Sequence, residues 1–565
     1  MKSKIAKLLA EKIKELSGQE IAAEQILAKI EIPPTRDLGD FAFPCFVVAK
    51  PLGLAPAAIA EKLAALLSGH GSIQRAEAAG PYLNLFVNRA YFAISVLEEV
   101  LEKQKTFGNA PVDGKKIVIE YPSPNTNKPL HLGHLRNLFI GESLARLLES
   151  NGKKVFRTNL FNDRGIHICK SMLAYQLAGN NAEPDKKSDH FVGDFYVKFS
   201  ALAKENENLE KEAQAMLVKW ENGDQEIHQL WQKMNNWAFE GFKETFELVG
   251  IKHDKNYFES EIYQEGKKLV LENLAKGVLT KREDGAVIID LTADGLDEKV
   301  LLRADGTSVY MTQDLYLALL KDQDYHYDDS IYIVGNEQDY HFKVLALVLK
   351  KMGFQKSIRH LSYGMIALPQ GRMKSREGTV VDADNLVWEL TDLAKEGIIE
   401  RNSEIDPDEA AERAQKIALA AIKYKLLKAN IFKDMIFDPK ESLSFDGDTG
   451  PYLLYSFARA NSILAKVSEV EGDYHDTANL EDAEFALIQK IAAFPELLNY
   501  ASESHNPSLL AHYSFELAQI FNEFYHSCQV ANNENTNLRL KLVEAFNLVL
   551  GRSLNILGIE TLDKM

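Results

Sequence analysis

The sequence has few cysteines and no long apolar runs, and it lacks an excess of positive charge. Its three cysteines, Cys45, Cys169 and Cys528, lie far apart in 565 residues. They form neither a disulfide framework nor a zinc cluster, so we expect a reducing, cytoplasmic compartment and no structural zinc. No apolar stretch approaches the ~20 residues of a membrane span. The N-terminal segment carries Glu11 and Glu15, which predicts an amphipathic helix and not a signal peptide.

The charge balance limits the classes of partner. A net charge of −17 at pH 7 argues against indiscriminate binding to nucleic acids, because phosphate contacts need lysine and arginine. It leaves room for an RNA partner held on a local basic track. The hydrophobic content of 46% and charged content of 26% are ordinary for a globular protein. At roughly 100–200 residues per domain, the length predicts about three to five domains.

The stretch from Ile117 to Asn151 carries the strongest chemical signal. An apolar run over Lys116–Glu120 predicts a strand, and a loop rich in proline and asparagine follows it and ends in the tetrapeptide HLGH at 131–134. A helical stripe of leucines begins there and ends at Asn151-Gly152. A strand, a loop, a glycine and a helix start are the elements with which open α/β sheets bind nucleotides.

The two histidines of HLGH suit a phosphate that changes its bonding. With the helix N–H groups they can stabilise charge that builds on an α-phosphate during adenylyl transfer. One alternative is a surface turn with two incidental histidines, but the strand before, the helix after and Lys128 in the loop disfavour it. The other is a zinc pair, for which the sequence shows no third ligand. We therefore predict no metal site.

A second basic loop follows a predicted strand. The segment GRMKSREG at 371–378 comes directly after LSYGMIALPQ. Mobile cations there could close on the β- and γ-phosphates and stabilise the leaving pyrophosphate. Basic turns are common, so this pattern is specific only together with HLGH.

The pattern along the chain predicts a multidomain α/β protein. Residues 1–110 are patterned as an α+β module, and residues 115–385 as a Rossmann-type parallel-sheet domain with a charged helical insertion at about 171–280. Strand-like runs that resume at 286–291, 300–302, 330–334 and 359–366 are expected to complete the sheet. Residues 386–444 are patterned as a helical connector. Residues 445–565 are patterned as an all-α bundle.

HLGH and RMKSR, about 240 residues apart, resemble the HIGH and KMSKS signatures of class I aminoacyl-tRNA synthetases. The chain as a whole resembles the arginyl-tRNA synthetase family. The segments that carry the resemblance are IEYPSPNTNKPLHLGHLRN, FNDRGIHICK, VYMTQDLYLAL, IVGNEQDYHF, MKSREGTVV, GDTGPYLLYSFARANSIL and the N-terminal RDLGDFAFP and GPYLNLFVN. One departure is clear: aligned on Met373, Arg372 and Ser375 stand where the KMSKS signature has lysines. Lys374 and Arg376 flank Ser375, and Lys128 is a candidate for the missing phosphate contact.

The resemblance implies an arginine–tRNA ligase. Such an enzyme activates L-arginine with Mg²⁺-ATP to arginyl-adenylate, releases pyrophosphate, and transfers the arginyl group to the 3′ end of tRNA(Arg) with release of AMP. Activation in this family requires bound tRNA. The expected partners are tRNA(Arg), arginine and ATP, with no membrane, and the expected protein is a cytoplasmic monomer. The N-terminal module and the C-terminal bundle would be a tRNA-binding domain and a DALR-type anticodon-binding domain.

The resemblance also assigns site residues. It implies catalytic roles for His131, His134, Lys128 and Lys374; ATP contacts by His131, Gly133, His134, Arg372, Met373, Lys374, Ser375, Arg376 and His341; arginine contacts by Glu120, Asn125, Tyr310, Asp314 and Gln338; and tRNA contacts by Tyr82, Asn84, Tyr455, Tyr525 and Met565. Residue chemistry supports the arginine set, because a guanidinium needs planar acidic partners. Tyr310 and Asp314 are four residues apart, so on a helix they share one side.

Several alternatives stay open for individual residues. Glu120 is also explained as a surface carboxylate at a strand end, Tyr310 as a core aromatic and His341 as a helix cap. Tyr82 and Asn84 also fit an ordinary polar strand face. In the bundle Tyr452, Arg459 and Asn461 are further candidates for anticodon contacts.

Other functions are less consistent with the sequence. Cysteine specificity would need zinc-ligand cysteines, and glutamate specificity is disfavoured by Glu120 and Asp314, which would repel that substrate. A small nucleotidyltransferase would not need the two flanking modules. A non-catalytic RNA-binding paralogue predicts a damaged HLGH or lost acidic residues, and both are intact.

Overall fold

A computed structural model describes residues 2–368, 371–372, 381–444, 446–467, 474 and 480–565. The N-terminal part packs helices on a three-stranded antiparallel sheet of order β1-β3-β2. Its elements are α1 (Lys2–Ser17), α2 (Ala23–Leu27), β1 (Phe41–Pro44), α3 (Phe46–Leu52), α4 (Pro56–Leu67), β2 (Ile73–Ala79), β3 (Tyr82–Val87) and α5 (Arg89–Lys103). Leu83, Leu85 and Val87 of the central strand are buried in the core, as the alternating pattern of that strand predicts.

The next part is built on a five-stranded parallel sheet of order β11-β10-β4-β5-β6. Its elements are β4 (Lys116–Glu120), α6 (Leu132–Ser150), β5 (Lys154–Phe161), α7 (Ile166–Ala178), α8 (Ser188–Glu205), α9 (Asn208–Glu221), α10 (Gln225–Val249), β6 (Lys255–Phe258), α11 (Glu259–Ala275), β7 (Thr280–Lys281), β8 (Val287–Ile289), β9 (Lys299–Leu302), α12 (Tyr310–Tyr325), β10 (Asp329–Gly335), α13 (Asp339–Lys351), β11 (Ser357–Tyr363), β12 (Ile366–Leu368) and β13 (Gly371–Arg372). The predicted parallel-sheet core is confirmed.

The order of the strands places a crevice beside β4. The chain leaves β4 toward β5 on one side, and β10 later pairs with β4 on the other side. Such a reversal opens a crevice at the carboxyl ends of the two strands, where open α/β sheets bind ligands. Glu120 ends β4 and lies opposite Tyr332 of β10 in the register, so it lies at this crevice.

Two details of the predicted sheet are wrong. Within the stretch 171–280, expected to be helical, Lys255–Phe258 forms β6 and pairs with β5 at the edge of the sheet. The runs at 286–291 and 300–302 do not join the parallel sheet, since β8 and β9 form a separate antiparallel sheet with β7. The strands β7, β8 and β9 are short and antiparallel, so they pair with one another through local turns. The strand β6 has four residues, which is too short for its periodicity to be recognised in the sequence.

The C-terminal part is helical, as predicted. Its elements are α14 (Ala383–Arg401), α15 (Pro407–Lys428), β14 (Met435–Ile436), α16 (Pro439–Ser442), α17 (Gly450–Lys466), α18 (Asp482–Ala492), α19 (Phe494–Glu503), α20 (Ser508–Ser527) and α21 (Thr536–Ile556). The one short strand, β14, pairs with β12. Phe521 and Phe546 stack in the bundle core with ring centroids 3.7 Å apart. In the part of the chain that the structure describes, no helix combines the length and apolarity needed to span a membrane.

Candidate active site

HLGH forms the N-terminal cap of α6. The Nδ1 atom of His131 accepts the N–H of Gly133 at 3.1 Å, and Nδ1 of His134 accepts the N–H of His131 at 3.1 Å. A backbone N–H can only donate, so both rings carry no proton on Nδ1 and keep it on Nε2. The two rings lie with centroids 3.9 Å apart. The cap therefore leaves two Nε2–H donors, side by side, at the positive end of a helix.

Burial keeps these rings neutral. It lowers the pKa of His131 to about 3, with the charge of Lys128 adding to the shift. Burial, His131 and Lys128 hold the pKa of His134 well below its usual range. Burial also lowers the pKa of Lys128, and no ion pair of Lys128 occurs among the described residues. A phosphate here would accept from two neutral donors and supply the counter-charge that Lys128 lacks.

The second loop falls largely outside the described residues. The predicted ATP contacts of Met373, Lys374, Ser375 and Arg376, and that of the Arg372 side chain, lie there. The chain returns beside HLGH: Leu132 donates its N–H to the Val381 carbonyl at 3.0 Å, and Ala383 donates to the Leu130 carbonyl at 3.0 Å. The segment that follows the second loop is therefore paired with HLGH.

A buried arginine that the sequence did not single out fixes α6 to the chain before that loop. Arg136, two residues after HLGH, is fully buried and donates to the carbonyls of Gly364 at 2.7 Å, Met365 at 3.3 Å and Lys433 at 3.1 Å. Those bonds tie α6 to the strands that lead into the second loop. A lone arginine in an apolar stripe carries no sequence signal for such a role.

Glu120 has a protein partner. Its Oε2 accepts from the ammonium of Lys321, and its Oε1 accepts from the hydroxyl of Ser123 at 3.1 Å. Lys321 is fully buried, and its ammonium lies 3.9 Å from the ring centroid of Tyr332. Burial lowers the pKa of Lys321, and the Glu120 carboxylate opposes that shift. The predicted arginine ligand is thus neutralised within the protein.

The helix α12 presents a stripe toward the same crevice. Tyr310 begins the helix and is largely exposed, and Asp314 follows one turn later. Lys321 lies two turns beyond Asp314, about 10 Å along the axis, on the same face. The Oδ2 atom of Asp314 accepts from Nε2 of His341 at 2.6 Å. His341, predicted to face ATP, therefore contacts a predicted arginine ligand. Gln338 and Asn125 are exposed near the ends of β10 and β4.

Glu259 is an acidic residue of this region that the sequence reasoning missed. It begins α11, is 4% exposed, and accepts from Nε2 of Gln313, the neighbour of Asp314, at 2.8 Å. Its Oε2 is buried and has no hydrogen-bond partner among the described residues. Burial raises the pKa of Glu259 to about 8. The positive charge of Arg164 lowers this pKa, and the negative charges of Asp163 and Asp314 offset part of that lowering. The only sequence signal was an acidic residue at a helix start, which is ordinary.

The predicted tRNA residues of the N-terminal part differ in exposure. Tyr82 is half-buried and packs edge-on against Phe46, with centroids 6.1 Å apart. Asn84 is only 7% exposed, because β3 is the central strand between β1 and β2. On the predicted polar face, Tyr82 is therefore accessible to a partner and Asn84 is not.

Three bundle candidates lie together on the surface. Arg459 is stacked on Tyr455 and Tyr525, with the guanidinium carbon 4.5 Å and 5.0 Å from their ring centroids, and both tyrosines are exposed. Asn461, half a turn further along α17, donates to Asp563 at 3.1 Å. That bond holds the C-terminal end, with the exposed Met565, beside the same helix. The other candidate, Tyr452, accepts from Asn522 at 2.7 Å below the surface.

Three protein-family models match successive parts of the chain. The model described as "Arginyl tRNA synthetase N terminal domain" matches residues 3–87, "tRNA synthetases class I (R), catalytic domain" matches residues 96–439, and "DALR anticodon binding domain" matches residues 453–565. The matches follow the order of the three parts of the structure.

Whole-chain comparisons agree with the family models. The chain is 47% identical to the arginine–tRNA ligase of Treponema denticola over 566 residues, which covers 96% of each chain. It is 43% identical to that of Borrelia hermsii over 590 residues, which covers 100% of each. Its structure is similar to that of Thermus thermophilus arginyl-tRNA synthetase, with a TM-score of 0.83, 25% identity and 100% of each chain covered.

Proposed function

The chain belongs to the arginyl-tRNA synthetase family and is an arginine–tRNA ligase, and we propose how its residues divide the work of that reaction. The observation that carries the proposal is the histidine cap of α6. It offers two neutral Nε2–H donors beside Lys128, at the crevice into which Glu120 and the α12 stripe also project.

The cap and Lys128 bind the phosphates of ATP. His131 and His134 donate to α-phosphate oxygens, where negative charge builds as the phosphorus becomes five-coordinate. The α6 N-terminus adds positive potential through the N–H of Gly133. In the KMSKS signature a lysine stands at the position of Ser375 and contacts phosphate. In this chain Lys128 supplies that contact instead. Mg²⁺ arrives with ATP as part of that substrate. Lys374, Arg372, Arg376 and Met373 close on the pyrophosphate side from the second loop.

The acidic side of the crevice binds arginine. The guanidinium lies between the carboxylates of Asp314 and Glu259, with Tyr310 covering it from the mouth of the pocket. Glu259 offers an unpartnered Oε2, and Asp314 is held in place by His341. Glu120 lines the pocket as half of an ion pair with Lys321, so its role is to shape the site. Asn125 and Gln338 bind the ammonium and carboxylate of the substrate at the rim.

The chemistry then needs no covalent enzyme intermediate. An oxygen of the arginine carboxylate attacks the α-phosphorus, an acyl–phosphate bond forms, and the α–β bond breaks to release pyrophosphate. A hydroxyl of the terminal tRNA ribose next attacks the acyl carbon, and AMP leaves with the bonding electrons. Holding three substrates in one crevice supplies the proximity that the reaction needs.

The bundle and the N-terminal sheet contact tRNA. The exposed group formed by Tyr455, Arg459 and Tyr525 offers aromatic faces for unpaired bases and one cation for phosphate. Met565 lies beside the same helix through the bond from Asn461 to Asp563. Tyr82 is the open residue on the N-terminal sheet, with Asn84 buried behind it. We further propose that the protein is cytoplasmic and that it is a monomer; sedimentation with and without tRNA(Arg) tests the monomeric state.

Pyrophosphate exchange tests the assignment of Lys128. In an ATP–pyrophosphate exchange assay with arginine and tRNA(Arg), Lys128→Met is expected to lower kcat about 10²- to 10³-fold, the cost of removing one preorganised charge partner. The matched control Lys343→Met removes an exposed lysine of α13 and leaves the rate unchanged. Full exchange by Lys128→Met would refute the phosphate role. No exchange by the unaltered protein, with cognate tRNA present, would refute the scheme as a whole.

A further inference from the structure

A buried ion cluster joins the insertion helices to α14. The ammonium of Lys187 lies 2.8 Å from Oδ1 of Asp189 and 3.1 Å from Oδ2 of Asp384. His190 places Nε2 3.1 Å from Oδ2 of Asp384, and Thr245 of α10 places Oγ1 3.0 Å from its Oδ1. Asp384 is fully buried. Burial opposes its ionisation, but the bond from His190 and the charge of Lys187 hold the pKa of Asp384 below its usual value.

The chain just before and at the start of α14 also pairs with HLGH. Asp382, two residues before Asp384, forms an antiparallel bridge with His131. The hydrogen bonds on either side of that bridge, from Leu132 to Val381 and from Ala383 to Leu130, are both 3.0 Å long. Asp384 is therefore one residue from a backbone pairing that fixes the phosphate-binding histidines.

The insertion helices α8 and α10 pack closely against the loop before HLGH and against the ion cluster. A Cβ on Gly193 of α8 would lie 2.6 Å from Cδ of Pro129, the residue after Lys128. A Cβ on Gly241 of α10 would lie 2.3 Å from Oδ1 of Asp189. Distances under 3.0 Å are not found for real Cβ atoms, so both positions need glycine for this approach. The helix α8 is therefore in direct contact with the loop that carries Lys128, and α10 is in direct contact with the ion cluster.

We propose that Asp384 is a positioning residue for the ATP site, through which the insertion helices α8 and α10 hold HLGH in register with the segment that begins at Val381. The inference rests on the assignment of HLGH to ATP in the proposed function. It accounts for the three groups, Lys187, His190 and Thr245, that reach one carboxylate from the start of α8 and from α10.

A metal site is a poorer account of the cluster. Ligand atoms of Asp189, His190 and Asp384 lie within 4.8 Å of one another, which is close enough to hold a cation. The ammonium of Lys187 already contacts both carboxylates and supplies the positive charge that a metal ion would bring. The cluster is therefore an ion network, in which removing one partner leaves the rest buried and uncompensated.

Aminoacylation kinetics test the proposal. Asp384→Asn keeps the size of the side chain and removes its charge. We expect the KM for ATP to rise about tenfold, in the range of coupling through a packed network, while the KM for arginine stays within about twofold. Thr245→Val keeps the shape of the side chain and removes the hydroxyl that bonds both Asp384 and Lys187. It is expected to raise the KM for ATP by about threefold and is the second variant if Asp384→Asn does not fold. The control Lys170→Met breaks the ion pair with Glu210 between α7 and α9 at 2.8 Å, away from HLGH, and leaves both KM values unchanged.

The outcomes distinguish the positioning role of Asp384 from the assignment of HLGH to ATP. A selective rise in the KM for ATP in either cluster variant supports the positioning role. Folded variants with a lower melting temperature and unchanged KM for ATP overturn it, because the cluster is then only structural. His134→Ala tests the underlying assignment separately: if that variant binds ATP as the unaltered protein does, HLGH is not the ATP site.

Discussion

Replacing Glu259 by glutamine gives the sharpest test of the arginine pocket. The pKa of this buried carboxyl is raised to about 8, so at pH 7 about nine-tenths of the free protein carries the proton, and removing it costs about 1.4 kcal/mol. A guanidinium pairs with the carboxylate form. Binding of arginine at pH 7 should therefore release about 0.9 proton per site.

The pH dependence follows from the same value. As the pH rises from 7 to 9, the ionised fraction rises about tenfold, so the dissociation constant for arginine should fall by a similar factor and then level off. Glu259→Gln removes a charged hydrogen bond worth about 1.5–3 kcal/mol. At pH 7 about 1.4 kcal/mol of this loss is offset, because the glutamine has no proton to lose. The defect in arginine affinity should therefore be about 1- to 15-fold at pH 7 and about 10- to 150-fold at pH 9.

Titration calorimetry measures both quantities. Arginine is titrated in two buffers of different ionisation enthalpy, and the difference in apparent heat gives the number of protons released. Glu261→Gln is the matched control, since Glu261 is an exposed carboxyl of the same first turn of α11. Ionisation of the substrate ammonium affects all three proteins equally. If the unaltered protein releases no proton at pH 7, or Glu259→Gln releases as many, the assignment of Glu259 is wrong.

Two other substitutions probe the ion pair and the bundle. Lys321→Met leaves Glu120 buried without its cation and should lower the free energy of unfolding by about 3–5 kcal/mol, measured by urea denaturation. Adding Glu120→Gln should restore part of that free energy. An unchanged denaturation midpoint in Lys321→Met would contradict the pairing. Tyr455→Ala should raise the KM for tRNA(Arg) about 5- to 150-fold, since stacking of one base is worth about 1–3 kcal/mol, whereas the exposed Tyr500 of α19 should tolerate the same change; equal effects at both positions would remove the case for a base contact.

The histidine cap could be anticipated from sequence because its causes are local. Lys116–Glu120 forms the predicted strand, and the predicted helix ends in Asn151 and Gly152, whose φ of 77° suits glycine. Hydrogen bonds between residues two and three apart make the HLGH cap, so the four residues suffice to specify it.

The charge partners in the crevice could not be anticipated in the same way. Glu120 was predicted to bind the substrate, but Lys321 lies 201 positions later and neutralises it. Glu259 had no distinguishing pattern, and its raised pKa comes from burial against α12. Asn84 alternates with apolar neighbours as an exposed residue would, yet it is buried because β3 became the central strand.

The sequence by itself therefore determined most of the longer elements, the histidine cap at HLGH, the helical bundle and the family. Each of these depends on residue spacing along a single segment, which hydrogen bonding and hydrophobic periodicity translate directly into structure. Only the tertiary structure decided which acidic groups are paired within the protein, and that Asp384 joins the insertion helices to the segment beside HLGH. Burial and pairing depend on how segments far apart in the chain pack together, and they set both the charge and the pKa of each group.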